Sequence, residues 1–99
     1  MKMPVVGINI YSVPKGKAEE FIRWWSDMRE RLISGTGFVA GRLHRNLDDD
    51  ALFNFINVAE WEDELYSAHY KRSAAQMKIE ARELGAEMTP GLFAVVSDY

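Results

Sequence analysis

The spacing of apolar positions changes along the chain, and each change marks an element. The sharpest change falls within residues 52–70, LFNFINVAEWEDELYSAHY. Its first half alternates and its second half has a helical period, so a strand is predicted to run into a helix. Phe53, Phe55, Asn57 and Trp61 share one parity, hence one face, of that strand. A buried amide and a buried indole each need a hydrogen-bond partner, which makes Asn57 and Trp61 the first candidates for a site.

The rest of the chain divides in the same way. Residues 4–13 alternate and are β-branched, the signature of a strand. Val6, Ile8 and Ile10 lie on one face; Val5, Gly7, Asn9, Tyr11 and Val13 lie on the other. Both faces are largely apolar, as in a strand covered on both sides, and Asn9 interrupts the second. Residues 18–33 read as a helix whose apolar stripe is Phe21, Trp25, Met28 and Leu32. Trp24 and Trp25 stand about 100° apart on it, so Trp25 joins the stripe and Trp24 edges a cavity or an interface. Gly35 is the expected left-handed cap.

Residues 38–46 and 51–60 are predicted as an antiparallel hairpin around the acidic turn Asp48-Asp49-Asp50. A short helix over 62–71 and a longer one over 73–84 come next, with Ser73 as a possible N-cap and Gly85 as the stop. In the longer helix Met77, Ala81, Leu84 and Met88 face one way. Thr89-Pro90-Gly91 reads as a turn and residues 92–96 as a last strand. The order β-α-β-β-α-(α)-β, with right-handed crossovers, predicts an α+β ferredoxin-like sandwich with an antiparallel sheet. Helices on one face leave an apolar sheet face uncovered, which predicts a homodimer through the sheet faces.

Composition narrows the function classes. Ninety-nine residues, 47% hydrophobic and 27% charged, make a single globular domain over residues 1–99. A net charge of −3 without a Lys/Arg cluster argues against nucleic acid as a partner. The absence of Cys excludes disulfides, thiolate metal sites and cysteine nucleophiles. No apolar run reaches the roughly 20 residues that span a bilayer, and no signal sequence is evident, so the expected location is cytoplasmic.

Three stretches together resemble a known family. MPVVGINIYSVPKGKAEEF, GTGFVAGRLHRNLDDD and NFINVAEWEDE, with the amphipathic helix between the first two, look like the antibiotic biosynthesis monooxygenase family of dimeric α+β barrels. The strand end V-P-x-G, the T-G-F opening and the W-E-D strand end carry the likeness, which covers nearly the whole chain. In the family's cofactor-free oxygenases an Asn and a Trp at the end of the third strand line the substrate cavity, with a His on the preceding strand. Asn57, Trp61 and His44 match them, and Tyr66 is an approximate counterpart of a further Tyr. The heme-degrading branch matches at Asn9, its pocket Asn. Its Trp would fall on His69 or Tyr70, and its iron-ligating His near residues 78–80, where no His stands.

The resemblance implies a small monooxygenase that oxidises an electron-rich aromatic substrate, anthrone- or quinol-like, with O₂ and no cofactor or metal. A deprotonated substrate of that kind can itself pass an electron to O₂. The protein then has to take a proton, hold an oxyanion and exclude water. On this reading His44 is the base, Asn57 and Trp61 are catalytic donors, and Asn9, Trp24, Tyr66 and His69 contact substrate. The cavity would lie between sheet and helices. Each assignment has a structural rival. His44 shares its face with Arg42 and suits an exposed strand, Asn57 suits a satisfied core amide, and Trp61 suits packing at a strand–helix junction. Asn9 suits a bond to a neighbouring loop, and His69 suits a helix surface. The runner-up functions are heme binding with degradation, and non-catalytic binding of a small ligand by the same dimer.

Overall fold

The computed structural model of the protein describes residues 5–33, 37–62 and 67–99. Six elements succeed one another: β1 (Val5–Ser12), α1 (Ala18–Ile33), β2 (Phe38–Arg45), β3 (Phe55–Trp61), α2 (Ser67–Glu83) and β4 (Glu87–Ala94). The sheet is antiparallel throughout, in the order β2-β3-β1-β4. This is the ferredoxin-like α+β arrangement expected from the pattern. Gly35, Tyr66 and the side chain of Leu32 lie outside the described residues.

The helices cover one sheet face, and period-two parity decides which residues they meet. Gly7, Asn9 and Tyr11 of β1 and Phe55, Asn57, Ala59 and Trp61 of β3 are buried beneath them. Phe21, Trp25 and Met28 of α1 and Tyr70, Ala74, Met77 and Ala81 of α2 complete the core. Val6, Ile8, Ile10, Ile56 and Val58 are half-buried on the other face, which no element among the described residues covers. Covering of β1 on both sides is therefore not met among the described residues.

Helix α1 has the bounds its periodicity predicts, with Glu19 and Glu20 in the first turn and Arg31 in the last, as its dipole favours. Helix α2 is one helix where two were expected. The stripe Tyr70, Ala74, Met77, Ala81 runs at four-three-four spacing straight through Ser73, which sits inside the helix rather than capping it. Gly85, at φ 81°, ends the helix in the left-handed conformation, and the Ala86 amide donates to the Ala81 carbonyl at 2.9 Å.

Two strands differ from expectation. β4 absorbs the residues read as a turn, Thr89-Pro90-Gly91, and carries Met88 to the core, while Val96 is exposed beyond its end. Proline is tolerated there because β4 is an edge strand with only one neighbour. β3 begins at Phe55 rather than residue 51, leaving Leu52 and Phe53 exposed. The cause is Asn54, whose side chain replaces a ladder step. Its Oδ1 accepts from the Val13 amide at 2.8 Å and its Nδ2 donates to the Val13 carbonyl at 2.7 Å.

Candidate functional site

Asn9 and Asn57 are direct cross-strand partners on the two central strands, at 0% and 2% exposure. Among the described residues they are the buried polar ones, and they lie on the helix-covered face. Adjacent strands in register bring together two amides that are 48 residues apart in the chain (57 − 9). Placing amides there costs free energy unless each finds a partner, so the surroundings of both decide what they do.

Asn9 is held by a residue absent from the sequence-based set. The Tyr70 hydroxyl donates to Asn9 Oδ1 and also lies 3.2 Å from the Gly91 carbonyl oxygen. The Tyr70 ring packs edge-on to Trp61 at 5.4 Å, and both rings occupy the space left by the missing side chain of Gly7. Burial pushes the Tyr70 pKa up to about 12, so the hydroxyl keeps its proton and its role as donor. With Oδ1 engaged, the Asn9 amide nitrogen is left as a donor.

That nitrogen is one of four buried polar atoms with no hydrogen-bond partner among the described residues. The others are the Tyr11 hydroxyl and the indole nitrogens of Trp24 and Trp25. Tyr11 lies near the Asn9 amide and the Trp25 indole without hydrogen-bond geometry, and burial raises its pKa strongly. Native cores pair most such groups, so several unpaired donors on neighbouring side chains mark a place shaped for something other than packing.

A hollow of about 390 Å³ opens beside this cluster, between α1 and the β2–β3 ladder. Asn57, Trp25, Ile33, Phe38 and Ala59 line it, and Arg29 and Glu30 stand at its edge, 3.6 Å apart. Its size suits a ligand of a few fused rings, and its apolar walls with few polar groups are typical of small-molecule sites. Asn57 and Trp25 thus meet at the hollow. Asn9 and Trp61 stand behind them in the core, Trp61 packed against Phe38 at 5.9 Å.

The remaining expected residues lie elsewhere. His44 was expected beside Asn57, but its register partner is Ile56, which places it on the open sheet face, the side opposite Asn57. It is exposed beside Val6, Arg42, Val58 and Glu60, with Nδ1 3.3 Å from the Ile56 carbonyl oxygen. His69 lines a separate cleft between the helices, its Nε2 3.5 Å from the Ser73 hydroxyl. Trp24 is half-buried, with Tyr11 and Phe21 as ring neighbours. Among the described residues no three His, Cys, Asp or Glu side chains converge as a metal site would require.

Tyr11, Trp25 and Tyr70 were missing from the sequence-based site. Tyr11 shares Asn9's parity two residues on, and Tyr70 stands four residues before Ala74 on the stripe of α2, so both signals were present in the pattern.

The model of the antibiotic biosynthesis monooxygenase family matches residues 4–81. A monooxygenase candidate from Shewanella loihica PV-4 superposes at a TM-score of 0.78, with 32% identity and 99% of each chain covered. SnoaB, a cofactor-independent oxygenase from Streptomyces nogalater, has the same fold at a TM-score of 0.70 and 23% identity, covering 97% of this chain and 96% of its own. So does the heme-degrading protein Rv3592 from Mycobacterium tuberculosis, at a TM-score of 0.60 and 24% identity, covering 100% of this chain and 98% of its own. No curated protein sequence matches the chain.

Proposed function

The chain belongs to the antibiotic biosynthesis monooxygenase family, and from that premise we propose that it is a cofactor-independent monooxygenase of electron-rich aromatic substrates. The observation that carries this reading is the buried cross-strand pair Asn9 and Asn57, of which Asn57 lines a ring-sized hollow together with Trp25, whose indole nitrogen has no partner among the described residues. Such an array is suited to an oxyanion, because its donors are fixed before the substrate arrives and need not reorganise.

In this reading an anthrone-type substrate enters the hollow and loses a proton from its CH₂ group to solvent water, which returns it in the later protonation step. Asn57 and Trp25 hold the resulting oxyanion, with the Asn9 amide and Tyr11 behind them. One electron passes to O₂, and recombination forms a C–O bond. Protonation then gives a hydroperoxide. Loss of water from it leaves a carbonyl, so one oxygen atom enters the product and the other leaves as water with both hydrogens of the CH₂. His44, on the far face, does not reach the hollow within one protomer. The substrate's own acidity, enhanced by the donors, supplies the anion. The open face with Ile8, Ile10, Ile56 and Val58 is the proposed homodimer contact, which sedimentation at micromolar concentration tests.

Oxygen uptake with a panel of anthrones and hydroquinones tests the activity. The expected result is turnover above buffer that falls at least tenfold in Asn57→Ala. No turnover with any member, or turnover unchanged in both Asn57→Ala and Trp61→Phe, overturns the proposal. A Soret shift on mixing with hemin would support the heme reading instead. Against that reading, residues 78–80 hold no His, and Ile79 among them is exposed on α2.

A further inference from the structure

A second concavity, about 290 Å³, lies between α1 and α2, away from the Asn57 hollow and on the other side of α1. Its lining has two parts. Met28 and Met77, at 2% and 1% exposure, belong to the core and form an apolar floor. Arg31, Arg72, His69 and Ser73 surround that floor, and no acidic residue is among the lining side chains. Of the two guanidiniums on this small cleft, that of Arg31 is paired with Glu80, so the positive charge the cleft offers is that of Arg72.

The two arginines are placed differently. Arg31 is fixed: its guanidinium lies 3.0 Å from Glu80 Oε1 and also contacts the Met28 sulfur. The other Glu80 oxygen accepts from Gln76 Nε2 at 3.1 Å. Arg31 holds the Glu80 carboxyl below its usual range, so that acid stays ionised and both its oxygens are engaged. Arg72 has no ion-pair partner among the described residues. A planar guanidinium with five donors and no acid paired with it among the described residues is matched to a carboxylate, which it can grip through two parallel hydrogen bonds. Thioethers under it favour a flat aromatic body, since sulfur contacts ring edges well.

We infer that this cleft is a binding site for an aromatic carboxylate, with the acid group on Arg72, Ser73 assisting, and the ring lying on Met28 and Met77. The volume is at the small end of ligand sites and admits two or three fused rings. The inference is one of binding and does not rest on the oxygenase reading. Its test needs neither O₂ nor turnover.

The probes are 2-naphthoate and its neutral counterpart 2-naphthamide, titrated into the intact protein carrying ¹³C-methyl methionine. The expected result is that naphthoate shifts the Met28 and Met77 methyl signals and binds about tenfold more tightly than the amide, the gain from one charge-assisted pair at a partly exposed rim. Arg72→Gln, at an exposed position that leaves the core intact, abolishes the discrimination. Equal binding of acid and amide overturns the inference, as does discrimination unchanged in Arg72→Gln. Methyl signals that stay still while the Trp25 indole signal moves would place the ligand in the other hollow and overturn it too. Inorganic phosphate displacing naphthoate at equal concentration would show a general anion site and overturn the aromatic assignment.

Discussion

Replacing Tyr70 by Phe removes one oxygen atom from the centre of the site and leaves the rest of the ring in place. Both partners of the lost bond are buried, Asn9 at 0% and Tyr70 at 3% exposure, so no bulk water reaches Asn9 Oδ1 to take the place of the hydroxyl. Stranding a buried amide oxygen costs about 1–3 kcal/mol. The ring contact with Trp61 at 5.4 Å persists, so no large cavity cost is added. About 2 kcal/mol is a substantial part of a total stability of order 5–15 kcal/mol. For a domain of this size it lowers the melting temperature by roughly 8–16 °C. Equilibrium urea unfolding should show a lower midpoint with an unchanged slope. Asn9→Leu tests the coupling, because removing both partners leaves no stranded atom. The double variant should then recover at least about 1 kcal/mol relative to additivity. A Tyr70→Phe loss under about 0.5 kcal/mol, or strict additivity with Asn9→Leu, would refute the pairing argued here.

Packing and ionisation give three more expectations. Gly7→Ala would place a methyl group 2.6 Å from Tyr70 Cε2 and 2.9 Å from Trp61 Cζ3, so overpacking should cost about 1–3 kcal/mol in thermal or urea unfolding; a neutral result would mean the two rings move freely. Asn54→Ala removes both side-chain bonds to Val13 and should cost about 1–2 kcal/mol, with faster hydrogen exchange at the Val13 amide as its local signature. Alkaline stability depends on Tyr70, whose pKa rises from 10.0 to about 12 through burial. A raised folded-state value means that the native state binds the proton more tightly. This contribution is complete below pH 10 and is lost as pH rises from about 10 through about 12. Tyr11 is shifted in the same direction, so wild-type melting temperatures should fall steeply in that window and those of Tyr70→Phe less so.

How much of this was legible in the sequence depended on whether a side chain kept to its element's period. α1 was read to both bounds because its stripe, its charged ends and the flanking Pro14 and Gly16 all agree. Asn9 and Asn57 were legible as polar intruders in apolar parities. That they face each other was not, because register is a long-range property of the sheet. Ser73 misled because serine suits a cap and an interior position facing a cleft equally well in sequence, and only the continuous Tyr70–Ala81 stripe distinguishes them. Pro90 misled because proline reads as a breaker unless the strand is known to be an edge. Tyr70 entered the sequence reading only as a counterpart of the heme branch's Trp, not as a site residue, because its value depends on Gly7, 63 residues earlier (70 − 7), having no side chain to occupy the same space.

His44 shows the same limit at the level of chemistry. Counting by twos from Phe38, which packs on Trp61 beneath the helices, puts Ala40, Arg42 and His44 on the inner face as well. The ladder does not keep that count. Phe38 pairs with Trp61 and Ala40 with Glu60, so two steps along β2 match one along β3, and a bulge at Val39 reverses the parity of the rest of β2. Leu43 then faces inward opposite Asn57, while Arg42 and His44 turn outward opposite Val58 and Ile56. One extra residue therefore separates a basic side chain from the amides it was expected to serve. It also places an arginine and a histidine at the margin of an apolar sheet face, where a second copy of the chain would meet them. Inside the hollow, Asn57 and Trp25 then offer neutral donors, and the charged pair Arg29 and Glu30 stands at its edge.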